Sequence, residues 1–221
     1  MEERYIRNLG SLTEEECELL QKKKVFVAGC GGLGGHIIDM LLRIGIGHIV
    51  AIDGDIFEAS NLNRQLLSEI LLLGISKAKA AKERAQRVNP EVEFTALEVY
   101  LDGNNADDLI AGCDVVMDAL DNIASRKILA KACADANIPM VHGAICGWTA
   151  QAAISFPGDG LMDLLYPEHV MLGSKSSLSF TPAFCAAIQL ALCIKLLCGR
   201  EVESGKVYYA DLLDMEFETI F

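Results

Sequence analysis

The run Val25-Phe-Val-Ala-Gly-Cys-Gly-Gly-Leu-Gly-Gly35 constrains this chain more than any other stretch. An apolar, β-favouring segment enters a glycine cluster, and apolar residues then recur at Ile37, Ile38, Leu41 and Leu42 with helical spacing. The pattern predicts a strand, a tight turn and a helix. Gly29, Gly31 and Gly34 fit the spacing G-x-G-x-x-G. The first glycine lets the chain turn sharply, the second lets backbone approach a phosphate, and the third lets helix pack on strand. The unpaired N–H groups at the helix start then face an anion, with the positive end of the helix dipole behind them.

The rest of the chain repeats this alternation. Thr13 with Glu16 three residues on reads as a capping box opening a short helix, after a polar arm over residues 1–12. His48-Ile-Val-Ala-Ile-Asp53 is a second strand, apolar enough to be buried on both faces. Residues 92–99, 114–118 and 139–144 read as further strands, with helices over 75–88, 104–111 and 125–136 between them. Such alternation predicts a parallel sheet with helices on both faces. After residue 144 the pattern changes. Residues 150–156 read as a strand, 157–180 as a long loop or crossover, 181–198 as a helix, and the last segment as a hairpin-like pair. The expectation is one α/β domain over 1–221, with a Rossmann-like, mostly parallel sheet extended by antiparallel strands at its C-terminal end.

Composition narrows what such a domain binds. A net charge of −12 argues against a nucleic-acid partner, which needs a basic face. The eight cysteines form no C-x-x-C pair and most sit in apolar surroundings, as reduced, buried thiols of a cytoplasmic protein do. The charged start, Met1-Glu-Glu-Arg-Tyr-Ile-Arg7, does not resemble a signal peptide. The longest apolar run, residues 183–197, contains Gln189 and Lys195 and falls short of the roughly 20 residues of a membrane span. It reads as a buried helix, with no membrane partner.

The identity of the phosphate ligand turns on residues beyond the glycines. Asp53 stands where an acid at the end of strand two binds a ribose hydroxyl, and with the glycine motif alone the default is a nicotinamide or flavin dinucleotide. Three further features point elsewhere. Arg64, within Asn61-Leu-Asn-Arg-Gln65, suits a triphosphate better than a hydride-transfer site, and Lys77 adds a second cation. Asp121, in the exit turn of strand four, is placed to hold Mg²⁺ through phosphate oxygens. Taken singly, Arg64 also reads as a surface residue, Lys77 as part of a solvated helix face, and Asp121 as a helix N-cap. Taken together they describe an ATP site with magnesium.

On these residues the chain resembles the adenylyltransferases related to ubiquitin-activating enzymes, the ThiF/MoeB/HesA group of thiamine and molybdopterin biosynthesis. The resemblance is carried by Arg4-Tyr-Ile-Arg7, Gly29-Cys-Gly-Gly-Leu-Gly34, Asp53-Gly-Asp55, Ser60-Asn-Leu-Asn-Arg-Gln65, Lys77, Asp118-Ala-Leu-Asp-Asn122 and Gly143-Ala144. It implies an ATP-dependent enzyme that adenylates the C-terminal glycine carboxylate of a small ubiquitin-like sulfur-carrier protein. It further implies that Gly31, Gly32 and Gly34 bring backbone to the phosphates and that Asp53 holds the ribose. Asn61, Arg64 and Lys77 would contact phosphates, Asp121 would coordinate Mg²⁺, and Arg7 would reach into the partner's site of a homodimer.

The chain departs from many members of that group in lacking the paired C-x-x-C motifs of a structural zinc, so none is expected. The segment Met171-Leu-Gly-Ser-Lys-Ser-Ser-Leu-Ser179 offers no cysteine for a later thiol step, and Cys146 is the nearest thiol, more simply read as a core or loop residue. Competing readings are adenylation of a small-molecule or tRNA-borne carboxylate, a catalytically silent nucleotide-binding partner, and an oxidoreductase.

Overall fold

The structure, a computed structural model, describes residues 2–168 and 176–220. Helix α1 (Glu14–Leu20) starts at the predicted capping box: Thr13 Oγ1 accepts from the Glu16 N–H, and the Glu16 carboxylate accepts from the Thr13 N–H. Strand β1 (Lys24–Ala28) then enters the glycine turn and helix α2 (Gly32–Ile44). Gly29 has φ +104°, a left-handed conformation that favours glycine. A Cβ on Gly34 would lie 1.8 Å from the Gly29 carbonyl oxygen, so α2 can cross β1 this closely only with glycine there.

The alternation continues through β2 (His48–Ile52), α3 (Lys77–Val88), β3 (Glu93–Leu97), α4 (Ala106–Ile110), β4 (Val115–Asp118), α5 (Ile123–Asp135) and β5 (Met140–Cys146). Strand β6 (Thr149–Ser155), helices α6 (Leu161–Leu165) and α7 (Phe180–Leu197), and strands β7 (Val207–Asp211) and β8 (Glu216–Ile220) complete the chain. The eight strands lie in the order β3-β2-β1-β4-β5-β6-β7-β8. The first five are parallel, and each later pairing is antiparallel. This is the expected Rossmann-like sheet with its antiparallel extension.

Alternation along the strands feeds two cores. Val25 and Val27 face α2, α3 and α7, whereas Phe26 and Ala28 face α4, α5 and α6. Met117 and Met140 are core residues, as their apolar settings suggest. Helix α7 has the length and apolar composition of a membrane span, but it packs on β4, β5, β6 and α2. It buries Thr181, Cys185, Ala186, Gln189 and Cys193 there.

Two sequence expectations need correction. The polar arm is anchored over its described residues, 2–12. Glu3–Asn8 form a 3-10 helix, Tyr5 is buried, and its hydroxyl accepts from Asn89 Nδ2 at 2.7 Å. Residues 157–180 are not all loop. Helix α6 lies within them with Leu161 and Met162 buried, Tyr166 is buried after it, and α7 begins at Phe180. Helix α6 starts directly after the breakers Pro157, Gly158 and Gly160, which read as loop in the sequence. The part of the expected loop at 169–175 lies outside the described residues.

Candidate nucleotide-binding site

Strand order reverses at β1, which has β2 on one side and β4 on the other. The connections leaving β1 and β4 diverge there, so a crevice opens at their carboxyl ends. A cleft of about 650 Å³ occupies this place. Gly29, Gly31 and Gly32 line it at the glycine turn, together with Asp53, Asp55, Arg64, Lys77 and Asp121. Val99, Tyr100 and Leu101 form a wall beyond β3, and Cys146, Thr149, Gln151, Tyr166 and Tyr209 line the end towards the antiparallel strands. No side chain caps the first turn of α2, whose N-cap is Gly31.

The two acids after β2 are held differently. Asp53 accepts from the Cys30 N–H and the Asp55 N–H, both at 2.8 Å. Burial pushes its pKa up despite these bonds. Burial acts on Asp55 in the same sense, but hydrogen bonds from Lys77 and Tyr100 outweigh it and hold that carboxyl below its ordinary value. Lys77 is buried, with Nζ 3.0 Å from Asp55 Oδ2, and the Tyr100 hydroxyl donates to Oδ1 at 2.8 Å. Lys77 is therefore not part of a solvated helix face. Arg64 reaches the cleft while its Nη1 donates to the Ser60 carbonyl and to Asn63 Oδ1, each at 2.9 Å.

The turn after β4 presents Asp121. Asn122, not Asp121, caps α5 by accepting from the Ser125 N–H at 2.9 Å, which leaves the Asp121 carboxylate exposed at the cleft. Beneath the turn lies a buried polar network. Asp118 Oδ2 stands 2.7 Å from His142 Nδ1, and Arg126 Nε is 3.6 Å from the same oxygen. Burial would raise the Asp118 pKa, but the Arg126 charge and the His142 hydrogen bond hold it below the usual range. Burial pushes His142 down, towards its neutral form.

The structure brings Gly29, Gly31, Gly32, Asp53, Arg64, Lys77 and Asp121 to one cleft. It does not bring Gly34, Asn61 or Arg7 there. Gly34 sits in the α2–β1 crossing. Asn61 is buried, and its Oδ1 accepts from the Glu58 N–H at 3.0 Å, a local turn role. Arg7 is exposed in the N-terminal 3-10 helix, outside the lining of its own chain's cleft. Sequence reasoning missed Asp55, although the Asp53-Gly-Asp55 block was in view. It also missed Tyr100, Arg126, His142 and Tyr166, whose neighbours are far away in the chain.

Comparison with known proteins agrees with this geometry. A SAMP-activating enzyme E1 of Haloferax volcanii is 35% identical over 208 residues, covering 91% of this chain and 77% of that protein. The molybdopterin-synthase adenylyltransferase of Escherichia coli K12 is 29% identical over 208 residues, covering 90% of this chain and 83% of that protein. The fold matches the crystal structure of E. coli MccB with succinimide at a TM-score of 0.86 and 21% identity, over all of this chain and 72% of that one. The ThiF family pattern matches residues 4–220, nearly the whole length and every block that builds the cleft, so the chain belongs to the ThiF family.

Proposed function

We propose that this nucleotidyltransferase adenylates the C-terminal glycine carboxylate of a small ubiquitin-like sulfur-carrier protein, with ATP as the nucleotide donor. The observation that carries the reading is the convergence of Asp53, Arg64, Lys77 and Asp121 on one cleft at the glycine turn. Adenylyltransferase activity itself is supported by the names of the relatives, and the carrier-protein substrate by the SAMP-activating enzyme among them.

In this reading Asp53 accepts from the ribose, and Gly31 and Gly32 let backbone N–H groups approach the phosphates. Arg64 and Lys77 offset the triphosphate charge. The carrier carboxylate is ionised at neutral pH and needs no general base. Its oxygen forms a bond to the α-phosphorus as the bond to pyrophosphate breaks, giving an acyl-adenylate. Positioning and charge stabilisation are what such a transfer demands of the protein. Among the described residues no group of three or more His, Cys, Asp or Glu gathers to hold a metal. A Mg²⁺ ion arriving on ATP phosphates needs only one or two carboxylates, and the exposed Asp121 fits that need. When bound, the ion would neutralise phosphate charge. A homodimer and a cytoplasmic setting belong to the same reading.

The test is ligand-dependent melting followed by product analysis. ATP with magnesium should raise the unfolding midpoint and NAD should not. Adding a carrier that ends in Gly-Gly should yield the carrier plus an adenylyl group by mass. Stabilisation by NAD instead of ATP, or ATP binding with no adenylated product from any carboxylate, contradicts the reading.

A further inference from the structure

We propose that Tyr166 is a positioning residue whose hydroxyl ties the arm leaving α6 to the β4 exit turn that carries Asp121, so that arm and turn form one mechanical unit. The functional meaning rests on the role given to Asp121 above; the coupling itself rests on geometry. Tyr166 is 4% exposed and Arg126 6%, while Asp118 and His142 are fully buried. Arg126 Nη1 donates to the Tyr166 hydroxyl at 2.5 Å, and Gln151 Nε2 donates to it at 3.3 Å. With two donors pointing in, the hydroxyl proton is left for its third neighbour, His142 Nε2, at 3.1 Å. His142 must then carry its proton on Nδ1, facing Asp118 Oδ2 at 2.7 Å. The circuit closes on a single residue. Asp118 Oδ1 accepts from the Leu120 N–H at 3.0 Å, and Arg126 Nη2 donates to the Leu120 carbonyl at 2.6 Å. The next residue is Asp121.

Both polar groups of the peptide chain at Leu120 are thus held by the network that ends on Tyr166. At the fully buried Asp118 and His142 a lost hydrogen bond is not replaced by solvent. Tyr166 follows directly on α6 and leads into Pro167 and Glu168. Displacing this arm withdraws one acceptor of the Arg126 guanidinium, whose Nη2 also donates to the Gly143 carbonyl at 3.1 Å, and so loosens the hold on the exit turn.

Hydrogen exchange on the full-length Tyr166→Phe variant tests this. The ring keeps its edge contact with His142 (centroids 5.6 Å apart) and its place 5.5 Å from the Arg126 guanidinium carbon, so the fold is retained. We expect amides in 119–122 and in 161–168 to exchange about tenfold faster together, with β1 and α2 unchanged. A control, Lys127→Ala, removes the surface ion pair to Asp163 at 3.2 Å and so perturbs α6 without touching the hydroxyl. It should leave 119–122 at wild-type protection. In ATP–pyrophosphate exchange, Tyr166→Phe should lower kcat about tenfold while the ATP Kd stays unchanged. Faster exchange confined to 161–168, or equal loosening of the turn by Lys127→Ala, overturns the proposal. Hydrogen exchange needs no carrier, so an inactive wild type in ATP–pyrophosphate exchange alongside coupled loosening would refute the adenylation reading and leave the coupling standing.

Discussion

Lys77 illustrates how little a side chain's sequence setting says about its surroundings. Spacing puts it on the basic stripe of an amphipathic helix, yet it is 7% exposed and paired with Asp55 across 22 residues of sequence. Lys77→Met should weaken ATP binding about ten- to a hundredfold, the range of a charge-assisted contact, with calorimetry as the check. An unchanged Kd would return Lys77 to a purely structural ion pair. Asp121→Ala should keep the wild-type melting midpoint, because the side chain is exposed and Asn122 supplies the helix cap. Nucleotidyl transfer should fall about a hundredfold or more. Wild-type turnover would remove Asp121 from the chemistry. Asp53, Arg64 and Asp121 were legible because each stands at a strand exit or a fixed offset from one. Tyr100, Arg126 and Tyr166 were not, because their partners Asp55, Asp118 and His142 come near only when the sheet is assembled.

At the scale of elements, order and type could be read from the alternation of buried strands with capped helices, down to the Thr13 cap and the hairpin of β7 and β8. Two that could not are α6, which starts directly after the breakers Pro157, Gly158 and Gly160, and the N-terminal 3-10 helix, which is fixed by Tyr5 against Asn89, a contact with no local signal. The closest crossing was legible in Gly34. Gly34→Ala should destabilise the fold by about 1–3 kcal/mol in denaturant titration, since a Cβ would meet the Gly29 carbonyl. Full stability would mean that α2 slides off β1 freely. A second element-level contact joins α1 to the residues after α7. Arg200 holds both Glu16 oxygens at 2.7 Å and, with the Thr13 N–H, lowers the Glu16 pKa from 4.5 to about 2. A depressed carboxylate contributes stability above its unfolded pKa and loses it as pH falls through the folded one. Glu16→Gln should therefore melt slightly below wild type at neutral pH, the gap closing between about pH 4.5 and about pH 2. A gap that does not narrow over this range would mean the difference comes from the cap alone.

For the whole molecule, the proposed homodimer makes Arg7 intelligible, since it lies on the surface away from its own cleft. An arginine supplied by a neighbour stabilises phosphate charge only when two subunits meet, and a two-fold dimer makes that contact twice. Arg7→Ala and Asp121→Ala dimers should each be impaired. After subunit exchange, mixed dimers should regain part of the activity, because one site carries both defects and the other neither. If mixing restores nothing, Arg7 does not act across subunits. What the dimer would serve is adenylation of a carrier, and isotope exchange between pyrophosphate and ATP tests that most directly. The account predicts that label enters ATP only when a protein ending in Gly-Gly is present with magnesium, and that deleting the terminal glycine or changing Asp121 to alanine abolishes exchange. Exchange that ignores the carrier, or none with any carrier tried while ATP binds, would contradict it.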